Sequence, residues 1–218
     1  MNYRDVVNTA IKEIGYQGTP KKSKYSAELD AVKFYNGPKN GASSWCKIFY
    51  DWCVYVNIKD VKKARAIVCE PDVDNCGAGC KQAIQYYKDH GRWITVHSKA
   101  TTGDEIFFKK GHTGIIVDWN NKGFYVVEGN TDGSKVGKHF YYYGDTGIEG
   151  FGRPDWYKYE TTSNKESHED LIKRLAKDCI EGKYGNGLTR KQRINGLGYG
   201  AIYTEVQNCV NLILRGQV

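Results

Sequence analysis

The sequence predicts an α+β domain of N-terminal helices packed on an antiparallel β-sheet, followed by a small three-helix bundle. Three observations predict it. Apolar residues fall at helical spacing as far as about residue 90, short β-prone runs separated by Gly and Asn follow, and helical spacing returns beyond a polar stretch near Thr161. Helices first and strands afterwards suit an α+β domain rather than alternating βαβ units. At 218 residues the chain has room for one medium domain, 1–160, and a marginal module, 170–218, joined by a linker at 161–169.

Val6, Val7, Ala10, Ile11 and Ile14 mark an amphipathic helix over residues 3–14 that ends at Gly15, with Asn2 as a possible cap. One short helix is expected at 27–35. Turn residues then lead through Asn36-Gly37-Pro38 and Asn40-Gly41 to a strongly apolar helix, Trp45 to Val56, capped by Ser43 or Ser44. A further helix is expected from about Gly77 to His90. The predicted strands are Ile106 to Phe108, Gly114 to Trp119, Phe124 to Glu128 and Phe140 to Tyr143, with Asn120-Asn121-Lys122-Gly123 as the hairpin turn of the middle pair. Thr161 to Ser167 reads as linker. Leu171, Leu175, Cys179 and Ile180 then define one helix, residues 188–195 a second, and Val206, Val210, Leu212 and Ile213 a third.

Composition sets the classes of partner. The net charge of +7 favours polyanions: nucleic acid, anionic membranes or a teichoic-acid-bearing wall. No zinc-finger spacing, recognition-helix arm or RNP-like run appears, which leaves nucleic acid a poor fit. No apolar run approaches membrane-spanning length. Seven cysteines are an odd number without a small secreted scaffold, so free thiols are expected and one can serve chemistry.

Ser43-Ser44-Trp45-Cys46, leading into Lys47-Ile48-Phe49-Tyr50-Asp51-Trp52, places a thiol in the first turn of a helix. Free N–H groups and the helix dipole there stabilise a thiolate and could also stabilise a tetrahedral oxyanion. Such a nucleophile needs a proton acceptor. His112, at the start of the strand Ile115-Ile116-Val117, supplies one, and Glu128 and Asn130 on the neighbouring strand can hold the imidazole in its useful tautomer.

Together these pieces resemble the CHAP domains, papain-like relatives of the NlpC/P60 cysteine peptidases. The matching segments are Trp45-Cys46, Gly103-Asp104, His112-Thr113-Gly114-Ile115-Ile116-Val117, Val127-Glu128-Gly129-Asn130-Thr131 and Gly150-Phe151-Gly152-Arg153-Pro154, spread over residues 3 to 158. The resemblance implies a peptidoglycan hydrolase of the endolysin type, with Cys46 as nucleophile, His112 as base, Glu128 as orienting residue and Asn130 as its polar support. It leaves open which amide is cut, the bond from the sugar lactate to L-Ala or a peptide bond of the stem or cross-bridge. Some relatives bind calcium through an Asp-rich loop before the nucleophile. Residues 35–41 carry no carboxylate, so no calcium, and no other metal or cofactor, is expected.

Residues 175–214 resemble one CW_7 repeat, a wall-binding module known from phage lysozymes. The segments are Ile180-Glu181-Gly182-Lys183-Tyr184-Gly185-Asn186-Gly187, Arg190-Lys191-Gln192-Arg193, Gly198-Tyr199 and Val206-Gln207-Asn208-Cys209-Val210-Asn211. The resemblance implies muropeptide as ligand and Gram-positive peptidoglycan as partner. Arg190 is the first candidate for stem-peptide carboxylates, with Lys191, Gly182 and Tyr184 behind it; Gly182 could serve the turn alone and Tyr184 the core. A lone repeat binds weakly, so avidity would require a homo-oligomer. Met-Asn-Tyr-Arg-Asp is no secretory leader, so synthesis in a host bacterial cytoplasm and holin-type release to the wall are expected.

Competing readings stay open. A catalytically inactive wall-binding protein could keep the same fold, and an intracellular thiol acyltransferase could use the same thiol. Cys69, Cys76 and Cys80 fit no common zinc spacing, with only His90 and His97 nearby. Cys53, Cys179 and Cys209 read as core; His90, His97, His139 and His168 read as surface. Gly196-Leu197-Gly198-Tyr199-Gly200 follows no strand and is no phosphate loop, and Tyr141-Tyr142-Tyr143 reads as strand with a minor chance of lining a groove.

Overall fold

The computed structural model describes residues 3–35, 44–68, 79–156, 168–196, 199 and 202–217. It divides the chain into two units, Met1–Glu160 and Thr161–Val218. The first holds helices α1 (Tyr3–Lys12), α2 (Lys24–Ala31), α3 (Cys46–Ile58), α4 (Val61–Val68) and α5 (Cys80–Asp89). Strands β1 (Trp93–Ile94), β2 (Glu105–Phe108), β3 (His112–Trp119), β4 (Gly123–Thr131), β5 (Lys135–Tyr142) and β6 (Ile148–Gly152) follow. The α+β expectation holds.

Cys46 to Val54 are all buried, so α3 has no solvent face over those residues and must be enclosed. Helices α1, α2 and α4 pack on it, and its remaining side lies on β3 and β4. The six strands form one antiparallel sheet in the order β1-β6-β2-β3-β4-β5. Alternation along each strand sorts its apolar side chains between two cores. Ile115 and Val127 join Val6, Leu29, Ile48 and Phe49 under the helices. Their sequence neighbours Ile116 and Val126 join Ile106, Phe124 and Phe151 on the opposite face.

Two glycines permit the close approaches this needs. A methyl group at Gly129 would lie 2.5 Å from Phe49 Cβ, and one at Gly114 would lie 2.7 Å from Glu128 Cγ. Larger residues would push α3 off β4, or β3 off β4.

Local signals explain the differences from expectation. Helix α2 begins before residue 27 because Ser23 Oγ accepts from the Ser26 N–H. Helix α4, not expected from the sequence, starts behind Asp60, whose carboxylate accepts from the Lys63 N–H. Helix α3 is not capped by a serine: Trp45 sits at its cap without a side-chain bond to the helix, Ser44 instead accepts from Asn130, and Ser43 lies outside the described residues. Strands β1 and β6 were missed because their pairing, with each other and with β2, defines them more than their composition does. Residues 77 and 78 and the linker residues 161–167 also lie outside the described residues.

The second unit comprises α6 (His168–Ile180), α7 (Gly187–Gly196) and α8 (Tyr203–Leu214). Leu175, Ala176, Cys179, Tyr184, Ile194, Val206, Cys209 and Val210 form its core. Among the described residues no helix is long and apolar enough to cross a membrane.

Candidate active site

Cys46 is the first residue of α3, and although buried it stands outside the apolar clusters, unlike Cys53 one helical stretch further on. Its partners are polar. The groups that act on the sulfur are the Cys80 thiol, the His112 ring and the Lys47 backbone N–H. The bond from Cys80 is the largest influence holding the Cys46 thiol well below its ordinary value; burial opposes it, and the His112 bond and charge and the Lys47 N–H add to it. An uncapped helix start keeps that N–H available.

His112 opens β3 with its side chain 13% exposed. Its Nε2 lies 2.7 Å from Glu128 Oε2, which leaves Nδ1 for the sulfur. Burial disfavours the charged ring, but bonds to Cys46 and Glu128, together with their negative charges, outweigh it and raise the ring to about 9. The two shifts run in the directions that favour a thiolate paired with an imidazolium.

Glu128 has no exposed side-chain surface. Burial pushes its carboxyl up, but the bonds from His112 and from Tyr141 outweigh that and hold it below the usual range. Sheet register supplies those partners. Glu128 pairs with Gly137, Val126 with His139 and Phe124 with Tyr141, so Glu128, His139 and Tyr141 share one face. The Tyr141 hydroxyl donates to Glu128 Oε1 over 2.8 Å, and His139 Nδ1 lies 3.1 Å from the same oxygen. His139 Nε2 reaches Asp132 Oδ2 at 2.8 Å. A continuous chain runs from Cys46 through His112, Glu128 and His139 to Asp132.

Beneath this chain, Lys47, Asp51 and Glu105 are fully buried. Lys47 Nζ lies 2.5 Å from Asp51 Oδ1 and 3.3 Å from Glu105 Oε2, and Tyr35 donates to Asp51 over 2.7 Å. Thr113 and Tyr87 donate to Glu105 at 2.9 and 3.1 Å. Burial lifts Glu105 to about 7 despite the neighbouring lysine. Because Lys47 follows Cys46 and Thr113 follows His112, the cluster locks the start of α3 to the start of β3.

Not every expected residue takes its expected place. Asn130 does not support Glu128; held at φ 55°, it donates to Ser44 Oγ at 2.9 Å and the Pro20 carbonyl at 3.3 Å, bracing the approach to α3. His139 and Tyr141 do that supporting work, so the surface reading of His139 and the plain-strand reading of Tyr141 are corrected. Their signal was present in the alternation of β5, but only register aims them at Glu128. Cys80 was grouped with Cys69 and Cys76, yet it meets Cys46; Cys69, Cys76 and the loop 36–41 lie outside the described residues. Among the described residues no group of three or more His, Cys, Asp or Glu is placed to hold a metal ion.

In the second unit Tyr184 is buried and donates to Asp178 over 2.9 Å, which makes it a core residue. Gly182, at φ 77°, serves the turn after α6. Arg190 is engaged within the unit: its guanidinium donates to the Gly185 carbonyl at 3.2 Å and to Gln207 and Asn186 at 3.1 Å each. Lys191 is exposed, with Nζ 6.0 Å from the centre of the Tyr203 ring.

Residues 173–214, which span all three helices of this unit in whole or in part, match the CW_7 repeat family. A CW_7 repeat is a cell-wall-binding module, and its presence implies that the chain binds the bacterial cell wall. No curated protein and no solved structure matches the chain.

Proposed function

We propose that this chain is a cysteine-dependent peptidoglycan hydrolase of the endolysin type, whose first unit is a papain-like CHAP domain and whose CW_7 repeat carries it to the wall. The observation that carries this reading is the bonded series Cys46, His112, Glu128, with a thiol at a helix start and an imidazole oriented by a buried carboxylate.

In the reaction the Cys46 thiolate attacks the carbonyl carbon of a wall-peptide amide. The oxyanion forms beside the N–H groups of the first turn of α3. His112, already protonated, gives its Nδ1 proton to the departing amine and leaves a thioester on Cys46. The neutral ring then takes a proton from water, hydroxide displaces the sulfur, and the acid is released with thiolate and imidazolium restored. Glu128, held by Tyr141 and His139, keeps Nε2–H pointed at itself throughout. The amide is the muramoyl–L-Ala bond or a peptide bond of the stem or cross-bridge. Synthesis in a host cytoplasm and phage-coded release belong to the same reading.

Turbidity clearing of purified Gram-positive walls tests it. Cys46→Ala should clear on the order of 10⁴-fold more slowly than wild type while binding walls equally. Equal clearing by both proteins removes the thiol mechanism. Wall binding without clearing by either would leave an inactive wall-binding protein. Mass spectra of the released fragments identify the bond.

A further inference from the structure

The hydrolytic cycle leaves one sulfur at the site unused. Cys80 opens α5 as Cys46 opens α3, and the two are free thiols that act on each other. Cys80 packs against an apolar cluster of its own helix and β2. Ala83, Ile84 and Tyr87 of α5 cluster with Phe107 of β2, and the Tyr87 hydroxyl donates to Glu105, which in turn faces Lys47. The two helices are thereby tied to one buried carboxylate, Glu105, which lies against the residue after Cys46.

The environments of the two sulfurs differ in a useful way. Cys46 is drawn toward thiolate by its hydrogen bonds, whereas Cys80 is partly exposed and its thiol is pushed far up by its bond to Cys46 and by burial. A reactive thiolate beside a protonated, reachable thiol is the arrangement that converts a sulfenic acid into a disulfide. Cys53 offers the contrast: wholly buried in apolar packing, with burial pushing its thiol up, it has neither feature.

We propose that Cys46 and Cys80 form a reversible disulfide that blocks the nucleophile, with a peroxide as oxidant. The Cys46 thiolate attacks one peroxide oxygen, the O–O bond breaks, and Cys46 becomes a sulfenic acid as hydroxide departs. The Cys80 sulfur then attacks the Cys46 sulfur, its proton leaves with the hydroxyl as water, and the S–S bond forms. Two electrons pass from the sulfur pair to the peroxide. A dithiol reverses the step by exchange. Loss of wall cleavage on oxidation rests on the hydrolase reading; formation of the bond does not.

The full chain, reduced with dithiothreitol and desalted, is treated with hydrogen peroxide, alkylated and digested. The expected product is a Cys46 peptide joined to a Cys80 peptide and released by reduction. Clearing by wild type should fall at least ~10-fold after peroxide, because no thiolate remains, and return with dithiothreitol. Cys80→Ser, compared with its own reduced form, should lose clearing without recovery, since its sulfenic acid has no resolving thiol and goes on to sulfinic acid. Sulfinic acid at Cys46 in wild type, or Cys80 joined to Cys69 or Cys76 instead, overturns the proposal. If reduced wild type never clears walls while the Cys46–Cys80 peptide forms, the hydrolase reading fails and the disulfide stands.

Discussion

The two units of this protein put their polar side chains to opposite uses. In the first, Lys47, Asp51, Glu105 and Glu128 are buried around one thiol and one imidazole. In the second, the residues that looked most able to grip a ligand are engaged in holding the unit together: Tyr184 bonds Asp178, and Arg190 bonds Gly185, Asn186 and Gln207. Size accounts for the contrast. A larger domain buries enough apolar surface to carry desolvated charge at a site, while a three-helix module has a small core and draws on hydrogen bonds for its turns. A polar residue in a short motif is thus weaker grounds for ligand contact than the same residue in a large domain.

The contrast can be broken by removing one member from each unit. Lys47→Met should have the largest effect, destabilising the first unit by about 3–5 kcal/mol, because Asp51 and Glu105 are left buried without their cation. Urea unfolding with hydrogen exchange on α3 and β3 measures it; a change below ~1 kcal/mol would mean the cluster is not energetically coupled. Glu128→Gln should lower wall clearing on the order of 10²-fold with little loss of fold, since the amide can still occupy the site but cannot stabilise the imidazolium. An unchanged rate would detach Glu128 from the chemistry.

A smaller effect is set by pH. His112 is raised to about 9, so its contribution to stability is complete below the ring's ordinary value of 6.5 and is lost as pH rises through about 9. Glu128 is lowered, so its contribution is present above its ordinary value of 4.5 and is lost as pH falls further. Clearing should therefore hold at neutral pH and decline above about 9 as the imidazolium deprotonates. A profile that rises through that value would contradict a resting ion pair between Cys46 and His112. The mildest test lies in the second unit. Arg190→Ala should cost about 1–2 kcal/mol of stability in α6 to α8 through its lost bonds, whereas Lys191→Ala should leave stability within about 0.5 kcal/mol and weaken wall binding. Reversal of that pattern would return Arg190 to the role of ligand contact.

Local patterns carried much of this. Helical periodicity and the apolar run after Trp45 put Cys46 at a helix start, and the β-prone run after Gly111 put His112 at a strand start, both as found. The periodic stretches around Leu175 and Val206 likewise became α6 and α8. Chain-local chemistry suffices for such features, because dipole, spacing and turn residues act within a few positions. Strand β1, two residues long, had no comparable signal.

Partnership across the chain was another matter. His139 and Tyr141 reach Glu128 only through the β4–β5 register, Cys80 meets Cys46 only through the packing of α5 on β2, and Asn130 turns to Ser44 only because of its left-handed backbone. Periodicity says which residues share a face of one element; it is silent on which element that face will meet. Contacts between residues far apart in the chain follow from how whole faces bury together, and that energy belongs to the assembled fold rather than to any stretch of residues within it.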